Sequence, residues 1–148
     1  MSIIRANKIR EKITQRRGVE LLAKLDGLDS CRLGMADAHD ISWQENIMKK
    51  NLAFDSKPNF LLPIEDAVQK IIEEFENFID KFGNELLVLF EIPFILELSV
   101  RNPEALIQSF YRVKGTRDIT VFSKCKKAIF EVQELEYEVK IFSAVYEN

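Results

Sequence analysis

The chain is short of the residue types on which most metal-dependent and nucleophilic enzymes depend. Its 148 residues include a single histidine, His39, and two cysteines, Cys31 and Cys125. A zinc site needs three or four converging ligands, and one histidine with two distant cysteines does not supply them. The cysteines form no Cys-x-x-Cys pair, so we expect free thiols in a reducing compartment rather than a disulfide. The sequence therefore predicts no bound metal.

Glycine-rich signatures of nucleotide-binding and hydrolase sites are missing from the sequence. The five glycines are isolated, and no Gly-x-x-x-x-Gly-Lys phosphate loop occurs. No Gly-x-Ser-x-Gly nucleophile turn occurs, and neither cysteine lies in the sequence context of an activated thiol. We therefore predict a protein that is not an enzyme and that binds no cofactor.

Long apolar runs are also missing. Leu86–Leu98 is the most apolar stretch, and Glu91 and Glu97 interrupt it well before the roughly 18 residues of a membrane span. The start, Met1–Arg5, lacks the apolar stretch of a signal peptide. The sequence predicts a soluble, cytoplasmic protein without a membrane partner.

What the chain does contain is enough apolar material for one folded core. Hydrophobic residues make up 47% of the sequence and charged residues 30%, which is typical of globular proteins. Eleven phenylalanines against one tryptophan and three tyrosines indicate aromatic core packing. A chain of this length can bury such a core without disulfides or a metal, so we predict a single domain over residues 1–148.

Helical spacing of apolar residues dominates the first half of the chain. Gly18 can divide the first predicted helix, whereas Pro63 suits the first turn of the strongly amphipathic one. Apart from a candidate helix from Trp43, residues 28–61 show no clear period and are predicted to be rich in loops. The predicted helices are Ser2–Leu25, Trp43–Leu52, Pro63–Phe82 and Asn102–Ser109.

After Gly83 the spacing of apolar residues changes from a period of 3.6 residues, as in a helix, to a period of 2 residues, which indicates strands. In the second strand Leu96 and Leu98 are expected to point inward, and Glu97 outward. The order of elements predicts an α+β fold, in which N-terminal helices and one long amphipathic helix pack on a mainly antiparallel C-terminal sheet. The predicted strands are Leu86–Ile92, Phe94–Val100, Phe110–Val113, Ile119–Phe122, Ala128–Val132 and Tyr137–Val145.

Charge is distributed unevenly along the chain. The total is −3, but residues 1–20 carry +4 and residues 64–98 carry −7. The basic N-terminal segment lacks aromatic residues and the isoelectric point is about 5.3, which argues against direct nucleic-acid binding. An acidic surface of this kind attracts cationic proteins and accelerates their encounter, although acidic helices also simply favour solubility.

Two groups of residues are candidates for such a protein-binding surface. The first lies on the predicted helix Pro63–Phe82 and consists of Glu73, Glu74, Glu76 and Asp80. The second lies in the loop-rich stretch 34–46, where an aromatic side chain stands among acids, and consists of Asp37, Asp40, Trp43 and Glu45. Both groups predict another protein as the partner.

Two other functions remain open. Asp37, His39 and Asp40 lie close together and would suit a small metal-dependent enzyme if further ligands converged on them. Alternatively, an apolar face of the predicted sheet would suit a structural or adaptor subunit that pairs with another chain.

The later part of the chain resembles the small cytoplasmic immunity proteins that bacteria pair with polymorphic or contact-delivered toxins. The resemblance extends over residues 63–148 and rests on the acidic helix 64–81, the helix start at Asn102-Pro103-Glu104 and the strands 118–123 and 127–132. It implies a non-enzymatic inhibitor that occupies its toxin's active site or an adjacent surface. No functional residue is transferred by this resemblance, because immunity proteins differ widely in fold.

Overall fold

The computed structural model of the protein describes residues 3–36, 43, 44, 50, 51, 57–91 and 93–145. Three α-helices lie in this part of the chain: α1 (Ile3–Lys24), α2 (Ala67–Phe82) and α3 (Pro103–Lys114). A short 3-10 turn, Ile64–Asp66, precedes α2. The strands are β1 (Leu28–Met35), β2 (Phe60–Pro63), β3 (Glu85–Leu89), β4 (Phe94–Val100), β5 (Ile119–Ser123), β6 (Ala128–Glu134) and β7 (Glu138–Val145).

All seven strands form one antiparallel sheet in the order β1-β4-β3-β5-β6-β7-β2. The predicted α+β class is confirmed. Strands β1 and β2 follow one another in sequence but form opposite edges of the sheet. The chain that joins them must therefore pass from one edge to the other, a distance of roughly 29 Å at the usual strand spacing.

The helices cover one face of this sheet, which we call the helical face. The apolar residues of α2 recur at helical spacing, and Ile71, Phe75 and Phe78 are almost completely buried. The rings of Phe75 and Phe78 contact Phe130 of β6, with centroids 5.4 and 5.8 Å apart. The predicted helix Pro63–Phe82 is therefore confirmed in its main part, although Pro63 ends β2 instead of starting the helix.

Helix α1 is continuous through Gly18, the residue at which the sequence allowed a division into two helices. Gly18 is buried, and a Cβ atom at this position would lie 2.8 Å from Leu33 Cδ1 and 3.0 Å from a ring carbon of Phe90. The glycine therefore allows the helix to approach the sheet closely. Leu22 is also buried, whereas the preceding part of the helix, residues 3–17, is exposed or half-exposed.

Helix α3 begins as predicted but is one turn longer. The Asn102 side chain accepts a hydrogen bond from the Ala105 backbone N–H at 3.1 Å and so caps the first turn. The helix continues to Lys114 and ends at Gly115, which has a φ of 73°. The predicted strand Phe110–Val113 is therefore wrong, because Phe110 packs into the core one helical turn after Leu106.

The prediction of loops over residues 28–61 is corrected by β1 and β2. Seven of the eight residues of β1 pair with β4, and the register shifts between Leu28 and Ser30, where Asp29 is unpaired. Most of its side chains are exposed, so it lacks the alternating pattern that identifies a half-buried strand. The predicted helix Trp43–Leu52 lies mostly outside the described residues.

The other face of the sheet, which we call the distal face, carries a smaller apolar cluster. It consists of Leu87, Ile95, Phe122 and Ile129, with Trp43 packed on top. Trp43 belongs to the connection between β1 and β2, so this part of the connection lies on the distal face. The two faces therefore differ in what covers them.

Candidate functional site

The outer side of α2 presents three carboxylates to solvent, and we call Glu73, Glu76 and Asp80 the acidic ridge. All three side chains are exposed. They lie opposite the buried residues Ile71 and Phe75, because positions three, four and seven apart share one side of a helix. The packing of the buried side fixes the helix, so the ridge occupies a defined position on the surface.

The acidic ridge has no cationic partner among the described residues. Glu74, the fourth acidic residue predicted on this helix, is different: its carboxylate forms an ion pair with Lys70 at 3.2 Å, and its side chain is only 16% exposed. The Lys70 ammonium also lies 4.1 Å from the centroid of the Phe60 ring. Glu74 therefore flanks the ridge and is partly neutralised.

The turn before α2 extends the acidic surface. Glu65 and Asp66 are both exposed, and neither is neutralised by a described cation. Asp66 occupies the N-cap position of α2, yet its side chain makes no capping hydrogen bond. Its carboxylate is therefore free to contribute to the same surface as the acidic ridge.

The loop-rich group of candidates is only partly visible. Asp37, His39, Asp40 and Glu45 lie outside the described residues. Trp43 is only 5% exposed and contacts the Phe122 ring edge-to-face, with centroids 5.8 Å apart. Trp43 thus packs against the sheet in this structure and is not an exposed aromatic contact for a partner.

Two carboxylates on the distal face are buried, which the sequence did not predict. Glu97 was expected to point to solvent, but its side chain is only 10% exposed. Its Oε2 accepts a hydrogen bond from Arg32 Nε at 2.7 Å and forms an ion pair with Arg32 Nη2 at 2.6 Å. Gly34 makes room for it, since a Cβ atom there would lie 2.5 Å from that oxygen. A glycine and an arginine on the neighbouring strand were the only sequence signals of this arrangement.

Glu131 is the second buried carboxylate, at 4% exposure. Its Oε1 accepts a hydrogen bond from the Asn51 side-chain amide at 2.7 Å, and its Oε2 accepts one from the Thr120 hydroxyl at 3.2 Å. The Gln133 side-chain amide donates to the Asn51 backbone carbonyl at 3.2 Å. These bonds attach the connection between β1 and β2 to the sheet, so we assign Glu131 to structure.

The same face contains two adjoining cavities that share Lys124. One, of about 340 Å³, is lined by residues that include Ser30, Arg32, Glu85 and Glu97. The other, of about 210 Å³, lies between Trp43 and Gln44 on one side and residues 123–127 on the other. Cys31 lines the first cavity and Cys125 the second, and both are exposed free thiols.

An ion pair stabilises the turn after α3. Glu134 accepts hydrogen bonds from the Arg117 backbone N–H at 3.0 Å and from the Arg117 guanidinium at 2.9 Å. The backbone hydrogen bond, followed by the guanidinium, lowers the pKa of Glu134 below its ordinary value. Burial next to this pair raises the pKa of Tyr111 well above its ordinary value, so its phenol stays neutral.

The described ranges contain neither a cluster of metal ligands nor a membrane-spanning helix. No group of three or more His, Cys, Asp and Glu residues there could hold a metal ion. No helix among the described residues is long and apolar enough to cross a membrane. Comparison with protein-family models, curated proteins and solved structures finds no significant match to this chain.

Proposed function

We propose that this protein is a cytoplasmic, non-enzymatic inhibitor of the immunity type, which neutralises a toxin domain by binding it. The acidic ridge on α2 is the observation that carries the proposal. Its three exposed carboxylates stand on a helix whose other side is anchored in the core. The matching partner is a protein with a cationic surface, such as a nuclease that binds nucleic-acid phosphates.

The charge distribution of the chain supports the binding of a partner with a cationic surface. The ridge lies in the segment 64–98 that carries −7, and this charge includes Glu65 and Asp66 in the turn before α2. Clustered charge of one sign steers an oppositely charged partner into contact. Because the helix is already ordered, binding requires little conformational ordering of α2.

The proposal is tested by identifying the partner and then reversing the ridge. The wild-type chain is used as bait, and the captured protein is purified and titrated. We expect Glu73→Lys, Glu76→Lys and Asp80→Lys together to weaken its binding strongly. The matched control combines Glu20→Lys, Glu136→Lys and Glu138→Lys, which changes the net charge equally at exposed positions elsewhere.

Equal binding by the ridge variant and the wild type would contradict the proposal, as would a captured partner with an acidic binding surface. Equal weakening in the ridge variant and the control would show a general charge effect instead of a docking site.

A structural or adaptor subunit is the second candidate function, and α1 is the observation that favours it. Ile3, Ile4, Ile9 and Ile13 are 42 to 81% exposed, on a helical segment of roughly 16 Å. Exposed apolar residues on an ordered helix are typical of a surface that another chain covers. Ile9→Ser with Ile13→Ser would then abolish assembly, measured as molar mass in solution, without affecting an inhibitor that works through α2.

The enzyme hypothesis rests on Asp37, His39 and Asp40, which lie outside the described residues. Elemental analysis of the purified protein distinguishes it from inhibition. We expect no stoichiometric transition metal, whereas about one zinc or manganese ion per chain would favour the enzyme.

A further inference from the structure

The smaller cavity on the distal face is cationic, although the protein as a whole is acidic. Its described lining includes Lys124, Lys126 and Lys127, and the Glu85 carboxylate lies outside this lining, 3.7 Å from Cys125 Sγ. The total charge of the chain is −3, so the charge of these lysines is opposite in sign to the net charge of the protein. A cavity of one charge sign attracts ligands of the opposite sign.

The turn that carries the lysines is fixed in place. The Lys124 backbone N–H donates to the Glu85 carbonyl at 2.9 Å, and the Lys126 N–H donates to Ser123 Oγ at 3.3 Å. Ser123 in turn donates to the Phe82 carbonyl at 2.9 Å. The ammonium groups of Lys124 and Lys126 form no ion pair with a described residue, so their charge is available to a ligand.

The opposite wall of the cavity has a buried polar group without a partner. Gln44 is only 2% exposed, and its Oε1 has no hydrogen-bond partner. An unpaired buried acceptor is costly, by about 1–3 kcal/mol. Because Gln44 lines the cavity and the last torsion of a glutamine side chain is soft, a ligand donor in the cavity can satisfy this oxygen.

We propose that this cavity binds a phosphate group, either free or as a small phosphate monoester. The lysine side accepts the negative oxygens through charge-assisted hydrogen bonds. Near neutral pH a phosphate monoester keeps part of its second proton, since that pKa is about 6, and free phosphate, which is a weaker acid in this step, keeps more of it; either can donate this proton to Gln44 Oε1. The cavity volume of about 210 Å³ equals that of roughly seven water molecules, which suits a phosphate or a short ester.

Sulfate provides a sharp comparison, because it has the same shape and charge sign but no proton to donate near neutral pH. A site made of lysines alone would bind both anions. A site that also uses Gln44 prefers phosphate. This site is independent of the acidic ridge, which lies on α2 over the helical face.

The test is calorimetric titration of the full chain with inorganic phosphate, glycerol 3-phosphate and sulfate at constant ionic strength. We expect one phosphate per chain and weaker binding of sulfate. Lys124→Gln with Lys126→Gln should weaken phosphate binding about tenfold, because charge-assisted hydrogen bonds are lost. Lys8→Gln with Lys12→Gln on α1 changes the net charge equally and should leave binding unchanged.

Gln44→Leu separates binding from stability. It should remove the preference for phosphate over sulfate while leaving the urea unfolding midpoint equal or higher, because an unpaired buried amide is replaced by an apolar group. Cys125 supplies a second readout: in a Cys31→Ser background, phosphate should slow its alkylation, since its side chain lines the cavity.

Tighter binding of glycerol 3-phosphate than of inorganic phosphate would assign the site to monoesters, and the reverse order to free phosphate. Either order supports the proposal. No saturable binding at millimolar phosphate would overturn it, as would equal weakening by the two lysine pairs. A phosphate preference that survives Gln44→Leu would overturn the role given to Gln44.

Discussion

The two faces of the sheet bury different kinds of groups. On the helical face, α2 and α3 enclose a continuous apolar core in which Phe75, Phe78 and Phe110 are almost completely buried. On the distal face the apolar cluster is small, and the buried carboxylates Glu97 and Glu131 stand beside it. The helical face therefore holds most of the hydrophobic stabilisation, while the distal face depends on specific polar contacts.

Because of this difference, we expect the two faces of the sheet to unfold at different free energies. An apolar core of many interlocking side chains unfolds as a unit. Among the described residues of the connection between β1 and β2, Trp43 packs on a small apolar cluster and Asn51 bonds Glu131, and local contacts of this kind can be lost at a lower free energy than global unfolding. We therefore expect the contacts of Trp43 and Asn51 with the sheet to be lost before the helical face unfolds.

The largest effect is expected from Phe75→Ala on the helical face. Removing this fully buried ring should reduce the free energy of unfolding by about 3–5 kcal/mol. Urea unfolding followed by circular dichroism measures the change. Phe75→Leu, which keeps most of the volume, should lose much less. A loss below about 1 kcal/mol for the alanine variant would mean that the apolar side of α2 is not a core surface.

On the distal face, Asn51→Ala should have an intermediate effect. It removes the donor to the buried Glu131 carboxylate, which costs about 1–3 kcal/mol. Trp43 is the only tryptophan, so its fluorescence reports the connection while circular dichroism reports the whole fold. In the variant the fluorescence transition should precede the dichroism transition.

Asn77→Ala is the control for Asn51, because its exposed amide makes only a 3.5 Å hydrogen bond to Glu74. Its two transitions should coincide with those of the wild type. If the fluorescence and dichroism transitions of Asn51→Ala coincide with each other, the distal face is not a separate unit.

The smallest effect is expected from Glu134→Gln. Because folding lowers the pKa of Glu134, its ionised form stabilises the protein above its ordinary pKa, and this is lost as pH falls through the lower, folded value. Near neutral pH the variant should be less stable by about 1 kcal/mol, and the difference should vanish in acid. Denaturant titrations at several pH values test this, with exposed Glu136→Gln as control. A difference that does not depend on pH would contradict the assignment.

The helical face could be predicted from the sequence because periodicity records burial on one side. The spacing of Ile71, Phe75 and Phe78 identified α2, and the alternation of Leu96 and Leu98 identified β4. The strand predicted over Phe110–Val113 failed because two aromatic residues and a valine favour strands locally, while helix α3 is extended by packing of Phe110 in the core.

The distal face could not be predicted in the same way. Glu97 alternates with apolar neighbours as a solvent-facing residue would, and only the distant Arg32 and Gly34 make its burial possible. Strand β1 is an edge strand with mostly exposed side chains, so its sequence carries little period. Of the candidate surface, helix periodicity placed Glu73, Glu76 and Asp80 outward, but it could not show that Lys70 pairs with Glu74.

The most direct test of the acidic ridge is the rate of association with the partner as salt is varied. The Debye length falls from roughly 10 Å at 0.1 M to 3 Å at 1 M, so steering by exposed charges weakens over this range. Stopped-flow measurements should show a wild-type on-rate that falls with salt. The variant with Glu73→Lys, Glu76→Lys and Asp80→Lys should associate slowly at low salt, with a smaller change in off-rate. An on-rate that responds neither to salt nor to the three reversals would contradict binding through the acidic ridge.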